Sequence, residues 1–165
     1  MRRAMLSRRS LLAGAAAGVL GGFGSRRTAV ASESFPITHS DAEWRKLLTP
    51  AQYAVLRQQS TELPFSSALL KEHRAGIFAC AGCGHDVFSS ETKFESGTGW
   101  PSFWAPLNDR AVGTSRDTSL GEMRTEIHCA SCGGHLGHVF NDGPPVTGLR
   151  YCMNGVALTF KPSAA

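Results

Sequence analysis

No apolar heptads run through this sequence and no low-complexity tract follows residue 31. Neither a coiled coil nor a compositionally biased disordered segment therefore describes the chain beyond that point. The longest mildly apolar stretch, residues 11–24, is rich in Gly and Ala and falls short of the roughly 20 apolar residues that a membrane helix needs. Acidic residues are missing altogether from residues 1–31, which hold six arginines. Without that stretch the Lys+Arg count falls from 17 to 11 against 13 acidic residues, and the formal net charge goes from +4 to −2. The basic pI thus belongs to the first 31 residues. What remains has no cationic surplus to attract a nucleic acid.

Those 31 residues have their own logic. Ser7-Arg8-Arg9-Ser10-Leu11-Leu12 is a twin-arginine pattern, the apolar run follows, and Ala29-Val30-Ala31 supplies an A-x-A cleavage site. Basic, apolar and small residues in that order predict a signal peptide of the twin-arginine type over 1–31 and an exported, periplasmic protein. An uncleaved amino-terminal anchor is the alternative. No stable membrane insertion of the mature chain is expected.

Residues 32–39 read as a linker, and 40–165 have the length of one domain with a core of its own. Ser40-x-x-Glu43 is a capping box before Trp44, Leu47 and Leu48. Thr49-Pro50-x-Gln52 repeats the signal before Tyr53 and Leu56. Two short helices are predicted from about Asp41 to Gln59, with a loop over Thr61-Glu62-Leu63-Pro64-Phe65. From Gly76 onward, short runs at 76–79, 86–88, 125–128, 136–140 and 156–161 alternate with Gly, Pro, Asn, Asp and Ser. That punctuation predicts an antiparallel β domain with tight turns.

Four of the five cysteines form two C-x-x-C-G units, Cys80/Cys83 and Cys129/Cys132. Two thiolates per turn, with a glycine that lets the backbone curl around them, suit one tetrahedral zinc ion, structural because four thiolates leave no open position. Two disulfides in an oxidising compartment, or a redox-active C-x-x-C pair, are the alternatives. Neither pair is followed by the helix pattern of thioredoxin-type motifs.

Cys152 remains, in Arg150-Tyr151-Cys152-Met153-Asn154. A lone cysteine is commonly a small buried hydrophobe, but its neighbours suit a nucleophile. On a strand Arg150 and Asn154 share its face, and positive charge favours the thiolate. His135 and His138 offer imidazoles for proton delivery, although their odd spacing sends them to opposite faces unless the pleat breaks at Gly137. Trp100, in Gly99-Trp100-Pro101, would wall an apolar pocket.

From Trp44 to Lys161 these blocks stand in the order found in the B-type methionine-R-sulfoxide reductases, which the chain resembles. The likeness rests on Cys80-x-x-Cys83, Ser96-Gly97-Thr98-Gly99-Trp100-Pro101-Ser102-Phe103, Arg124-Thr125-Glu126, Cys129-x-x-Cys132, His135-Leu136-Gly137-His138-Val139-Phe140, Asp142-Gly143-Pro144 and Arg150-Tyr151-Cys152-Met153-Asn154. The resemblance implies a mainly β fold, two antiparallel sheets in a zinc-stapled, sandwich- or barrel-like domain with two short amino-terminal helices. It implies an enzyme that reduces the R epimer of methionine sulfoxide in oxidised proteins; a monomer is expected. Cys152 would be the nucleophile, His135, His138 and Asn154 would hold the oxygen and deliver protons, and Arg150 would support the thiolate. Trp100 and Phe140 would bind the substrate, Trp100 against the sulfoxide methyl. Two positions depart from the family pattern. Thr98 stands where many members carry a resolving cysteine, so recycling by a small thiol or a thioredoxin-like reductant is expected. Gly155 stands where serine is common. Two competing functions are a zinc-bearing binding module without a reactive thiol, and a thiol–disulfide oxidoreductase using one C-x-x-C pair.

Overall fold

A computed structural model describes residues 34–164. The signal peptide predicted over 1–31, with its predicted cleavage site, lies outside the described residues. The first two helices form where the caps place them. α1 (Asp41–Leu47) starts at Ser40, whose hydroxyl accepts the Glu43 amide while the Glu43 carboxylate accepts the Ser40 amide at 2.8 Å. α2 (Pro50–Gln58) starts at Thr49 with the same reciprocal pair to Gln52 and ends at Gln59 in the left-handed region, φ 56°. Helices this short have little stability alone. They are held by burying Trp44, Leu48, Tyr53, Val55 and Leu56 in the common core.

The strands are β1 (Gly76–Cys80), β2 (Asp86–Ser89), β3 (Lys93–Phe94), β4 (Ser102–Phe103), β5 (Val112–Asp117), β6 (Arg124–Cys129), β7 (His135–Phe140), β8 (Arg150–Met153) and β9 (Leu158–Pro162). They make two antiparallel sheets, ordered β2-β1-β9 and β3-β4-β8-β7-β6-β5. The larger sheet stays open, with β3 and β5 at its edges, so no closed barrel forms. Phe78 on β1, Phe88 on β2 and Phe103 on β4 are fully buried. Phe103 stacks on Phe88 at 4.4 Å and meets Phe78 edge-on at 5.0 Å, which joins the sheets through one aromatic core.

Residues 34–39, predicted as a linker, lie along the second C-x-x-C turn. The Ile37 amide donates to the Ser131 carbonyl at 2.8 Å, and Phe35 packs edge-on against His128. Among the described residues no helix is long and apolar enough to cross a membrane.

Candidate active site

The two C-x-x-C-G turns have the same backbone bonding. The Cys80 amide donates to the His85 carbonyl and the Gly84 amide to the Cys80 carbonyl; Cys129 does the same with Gly134, and Gly133 with Cys129. The glycine after each second cysteine takes a positive φ, +75° at Gly84 and +66° at Gly133, a conformation that a side chain resists. The turns bring the four sulfurs within 4.8 Å of one another, with Cys80–Cys132 at 3.7 Å and Cys83–Cys129 at 3.6 Å. A disulfide needs about 2.05 Å, so these sulfurs are not joined as disulfides. Four ligands about 2.3 Å from a tetrahedral centre stand about 3.8 Å apart. The cluster therefore has the spacing of a four-thiolate metal site. Leu56 of α2 packs against Gly82 and Gly134 of the two turns.

Cys152 is the one cysteine outside this cluster. It sits on β8, directly opposite Ser102 on β4 and His138 on β7. With Trp100, His138, Phe140 and Asn154, it lines a cavity of about 150 Å³, which Thr61 and Arg124 also border. Larger grooves of about 630 and 460 Å³ hold no cysteine.

β7 is where the strand geometry departs from regularity. Ile127 faces Gly137 and His128 faces His135, so Leu136 is an extra residue opposite β6. This bulge shifts the alternation by one and brings the His135 and His138 rings to 5.3 Å, edge to face. The pleat thus breaks at Leu136. Gly137 meets a different demand, because a Cβ there would overlap the Cys152 carbonyl oxygen.

The two histidines differ. His138 Nε2 lies 2.7 Å from Asp117 Oδ2, which also takes Arg124 Nη2 at 2.6 Å. Burial holds the imidazole below its ordinary range, against the opposing pull of Asp117. Asp117 itself is held well below the carboxylate range, first by the Ser119 amide. His135 is almost fully buried behind the cavity rather than lining it. Its Nδ1 lies 2.7 Å from Glu126 Oε1, and its Nε2 has no hydrogen-bond partner among the described residues. That contact draws the Glu126 carboxyl down to about 2.

Arg150 stands beside Cys152 but is held from the other side. Its guanidinium donates to both Asp142 oxygens, at 2.9 and 2.8 Å, and lies 4.5 Å from the Phe140 ring centroid. Burial pushes the Cys152 thiol up; hydroxyl contacts from Thr98 and Ser102 and the charge of Arg150 only partly offset it. The lowering of the thiol expected from Arg150 is real but smaller than the cost of burial.

Glu62, read from sequence only as part of a loop, fastens the cavity together. Its amide donates to Asn154 Oδ1 at 2.9 Å, and its carbonyl accepts the Trp100 indole N–H at 3.2 Å. Its carboxylate accepts the amides of Gly155 and Val156, the latter at 2.9 Å. Asn154 Nδ2 donates to the Leu136 carbonyl at 3.1 Å, which leaves its second hydrogen for a ligand. Asp117 and Glu62 carry no sequence signal, since each acts on partners distant in the chain.

The cavity offers a thiol, an imidazole held at Nε2 by Asp117, an amide donor and an indole wall around space for one side chain. A family model described as the SelR domain matches residues 48–162. The chain is 54% identical over 128 residues to the peptide methionine sulfoxide reductase MsrB of Leptospira interrogans, covering 78% of this chain and 98% of that protein. It is 56% identical over 129 residues to the protein of the same name from Leifsonia xyli, covering 78% and 93%. Over 120 residues it is 57% identical to that of Pseudomonas putida strain W619, covering 73% and 90%.

Proposed function

The chain belongs to the SelR-domain family of peptide methionine sulfoxide reductases B, and we propose that Cys152 is the nucleophile with which it works. The protein is a peptide-methionine (R)-S-oxide reductase, an oxidoreductase that returns methionine sulfoxide in peptides to methionine. The observation that carries the assignment is the placement of Cys152. It alone among the five cysteines lies apart from the four-sulfur cluster, and it shares one cavity with Trp100, His138 and Asn154.

In this reading the sulfoxide methyl lies against Trp100 and Phe140, and the oxygen takes hydrogen bonds from His138 and Asn154. Only one remaining direction admits the peptide, which selects the R epimer. The Cys152 thiolate attacks the sulfoxide sulfur and the oxygen takes up a proton. With one proton taken up, the S–O oxygen passes to the Cys152 sulfur as the new S–S bond and the methionine S–O bond break, which releases methionine and leaves a sulfenic acid. His138, protonated on Nδ1 while its Nε2–H is held by Asp117, is the nearer proton source. His135 supports it from behind through Glu126, and Arg150 supports the sulfur electrostatically. A thiol of a thioredoxin-like or small-molecule reductant then attacks the sulfenic sulfur and releases water. A second thiol frees Cys152 as a disulfide of the reductant. Thr98 occupies the place from which an internal cysteine would act, and the other four cysteines are engaged with one another.

The four-thiolate cluster is proposed to bind one structural zinc ion per chain through Cys80, Cys83, Cys129 and Cys132, which supplies folding energy and no chemistry. Residues 1–31 are proposed to direct export to the periplasm by the twin-arginine route, so that the mature protein starts at Ser32. There it acts as a monomer on oxidised proteins. Cys152→Ser, assayed on peptides with the R and S sulfoxides, is expected to abolish turnover of the R form. Substantial residual activity would remove Cys152 from this role. One turnover without reductant is expected to leave a sulfenic acid on Cys152 that dimedone traps, and a disulfide to another cysteine of the chain would overturn the external recycling.

A further inference from the structure

Arg124 stands in the block Arg124-Thr125-Glu126, yet none of the steps at Cys152 uses it. Strand register fixes its place. Glu126, His138, Cys152 and Ser102 face one another in a row across β6, β7, β8 and β4. Two residues along, on the same face, runs a second row. There Asp117 pairs with Arg124, and Phe140 with Arg150. Because Thr125 faces Val139, Arg124 and Phe140 are neighbours in that row. Asn154 and Trp100, joined through Glu62, lie on the other side of the Cys152 row. Arg124 thus lines the cavity at the end away from Asn154, and Met123, next to it in the chain, is 71% exposed at the rim.

Its guanidinium is only partly committed. Nη2 donates to Asp117 Oδ2 at 2.6 Å, the one hydrogen bond the side chain makes among the described residues. A guanidinium has five N–H donors. Here Nε is buried without a partner, and the side chain as a whole is 19% exposed. Taking such donors out of water costs free energy unless an acceptor replaces it. The sulfoxide oxygen is already turned to His138 and Asn154, on the far side of the Cys152 row. We propose that Arg124 is a substrate-binding residue that donates to the main-chain carbonyl oxygen of the methionine sulfoxide residue, where the peptide leaves the cavity past Phe140. Asp117 is its positioning residue. One carboxylate oxygen holds both Arg124 and His138, so the group that reads the peptide and the group that protonates the sulfoxide share an anchor. A main-chain carbonyl is present whatever residues flank the sulfoxide, so this contact recognises a peptide without selecting its sequence. It rests on the assignment of the Cys152 cavity to the sulfoxide side chain.

A purely structural Arg124, which did no more than balance Asp117, would act through His138 on the reacting oxygen. Every sulfoxide carries that oxygen, so such an effect is the same for all substrates. A main-chain contact acts only on substrates that have a main chain. The two roles therefore separate in a ratio, taken between N-acetyl-methionine-(R)-sulfoxide N-methylamide and (R)-methyl propyl sulfoxide. The second compound has the same sulfur, oxygen, methyl and methylenes but no carbonyl.

The experiment measures kcat and KM for both compounds with dithiothreitol as reductant, in the parent and in Arg124→Met. The ratio of kcat/KM, amide over small sulfoxide, is expected to fall about 10-fold or more, the worth of a hydrogen bond from a charged donor. The selective part of the loss should appear in KM for the amide, as for binding shared by ground and transition states. Arg124→Lys keeps the charge beside Asp117 but lacks the fork that spans two partners, and it should lose most of the ratio too. A parent-like ratio in Arg124→Met, or in Arg124→Lys should the first variant not fold, overturns the contact, however far both activities drop together. Calorimetric binding of the amide to Cys152→Ser needs no turnover and should weaken about 10-fold when Arg124→Met is added; unchanged binding also overturns the contact. A Cys152 that failed as nucleophile would show itself in the reductase assay and leave this binding difference standing.

Discussion

An ideal Cβ on Gly155 would overlap the Ser67 hydroxyl and come within 3.3 Å of Glu62 Oε1. The departure from the common serine is thus compensated by Ser67, which fills the space a side chain would take beside Asn154. Gly155→Ser is expected to lower stability by about 1–3 kcal/mol, the usual cost of overpacking, and to reduce kcat/KM by disturbing the Glu62 clamp on Asn154. Ser67→Gly in the same chain should restore most of both. Urea unfolding and peptide kinetics on the single and double variants check this, and a double variant no better than Gly155→Ser would refute the exchange of space. Glu126 makes a second prediction. Its carboxyl drops from 4.5 to about 2 in the fold, first through His135. A carboxyl depressed in the folded state adds stability that is fully present above its unfolded value and is lost as pH falls toward the folded one. Parent stability should therefore fall between about pH 4.5 and 2 more steeply than that of Glu126→Gln, and urea midpoints across that range measure the difference.

At the scale of elements, the site depends on how β7 lies between β6 and β8. The Leu136 bulge turns His135 and His138 to one side, and Gly137 lets β8 approach until His138 stands opposite Cys152. Gly137→Ala would press its methyl into the Cys152 carbonyl and the Met153 side chain. Because a shift of about 1 Å at a reacting centre can cost about 100-fold, kcat for R-sulfoxide peptides is expected to fall by about that factor with the far-UV circular dichroism retained. Unchanged kcat would show that β7 and β8 tolerate separation. The same strands show what a sequence can disclose. The helices were legible because capping boxes are local, and Cys152 was legible because the other cysteines pair. β5, Val-Gly-Thr-Ser-Arg-Asp, has no apolar alternation and forms at the sheet edge only by pairing with β6. The bulge is a register event between two strands, so the odd spacing of the histidines signalled a break without locating it. Glu62 and Asp117 stayed hidden because their partners lie far away in the chain.

For the whole molecule, the four-sulfur cluster joins the two sheets at their ends. Cys80 closes β1 of the smaller sheet, and Cys129 closes β6 of the larger one. The Cys129–Cys132 turn also leads directly into β7 and His138. Both sheets contribute to the aromatic core around Phe103, so the fold has two fastenings, the aromatic core and the four-sulfur cluster. Four clustered sulfurs without a cation would repel as thiolates or lie buried as thiols with few partners, whereas an ion binds them as charged ligands and adds its binding energy to folding. Metal analysis of the purified protein should find one zinc per chain. Removing it with a chelator under reducing conditions should lower Tm strongly and abolish reductase activity together with it, although no ligand lines the Cys152 cavity. Restoring zinc should return both in proportion. Cys83→Ser, at the least buried of the four cluster positions, should weaken metal retention and Tm while leaving the alkylation pH profile of Cys152 in the remaining folded fraction as in the parent. Loss of zinc with Tm unchanged would leave the aromatic core as the sole fastening and refute the staple.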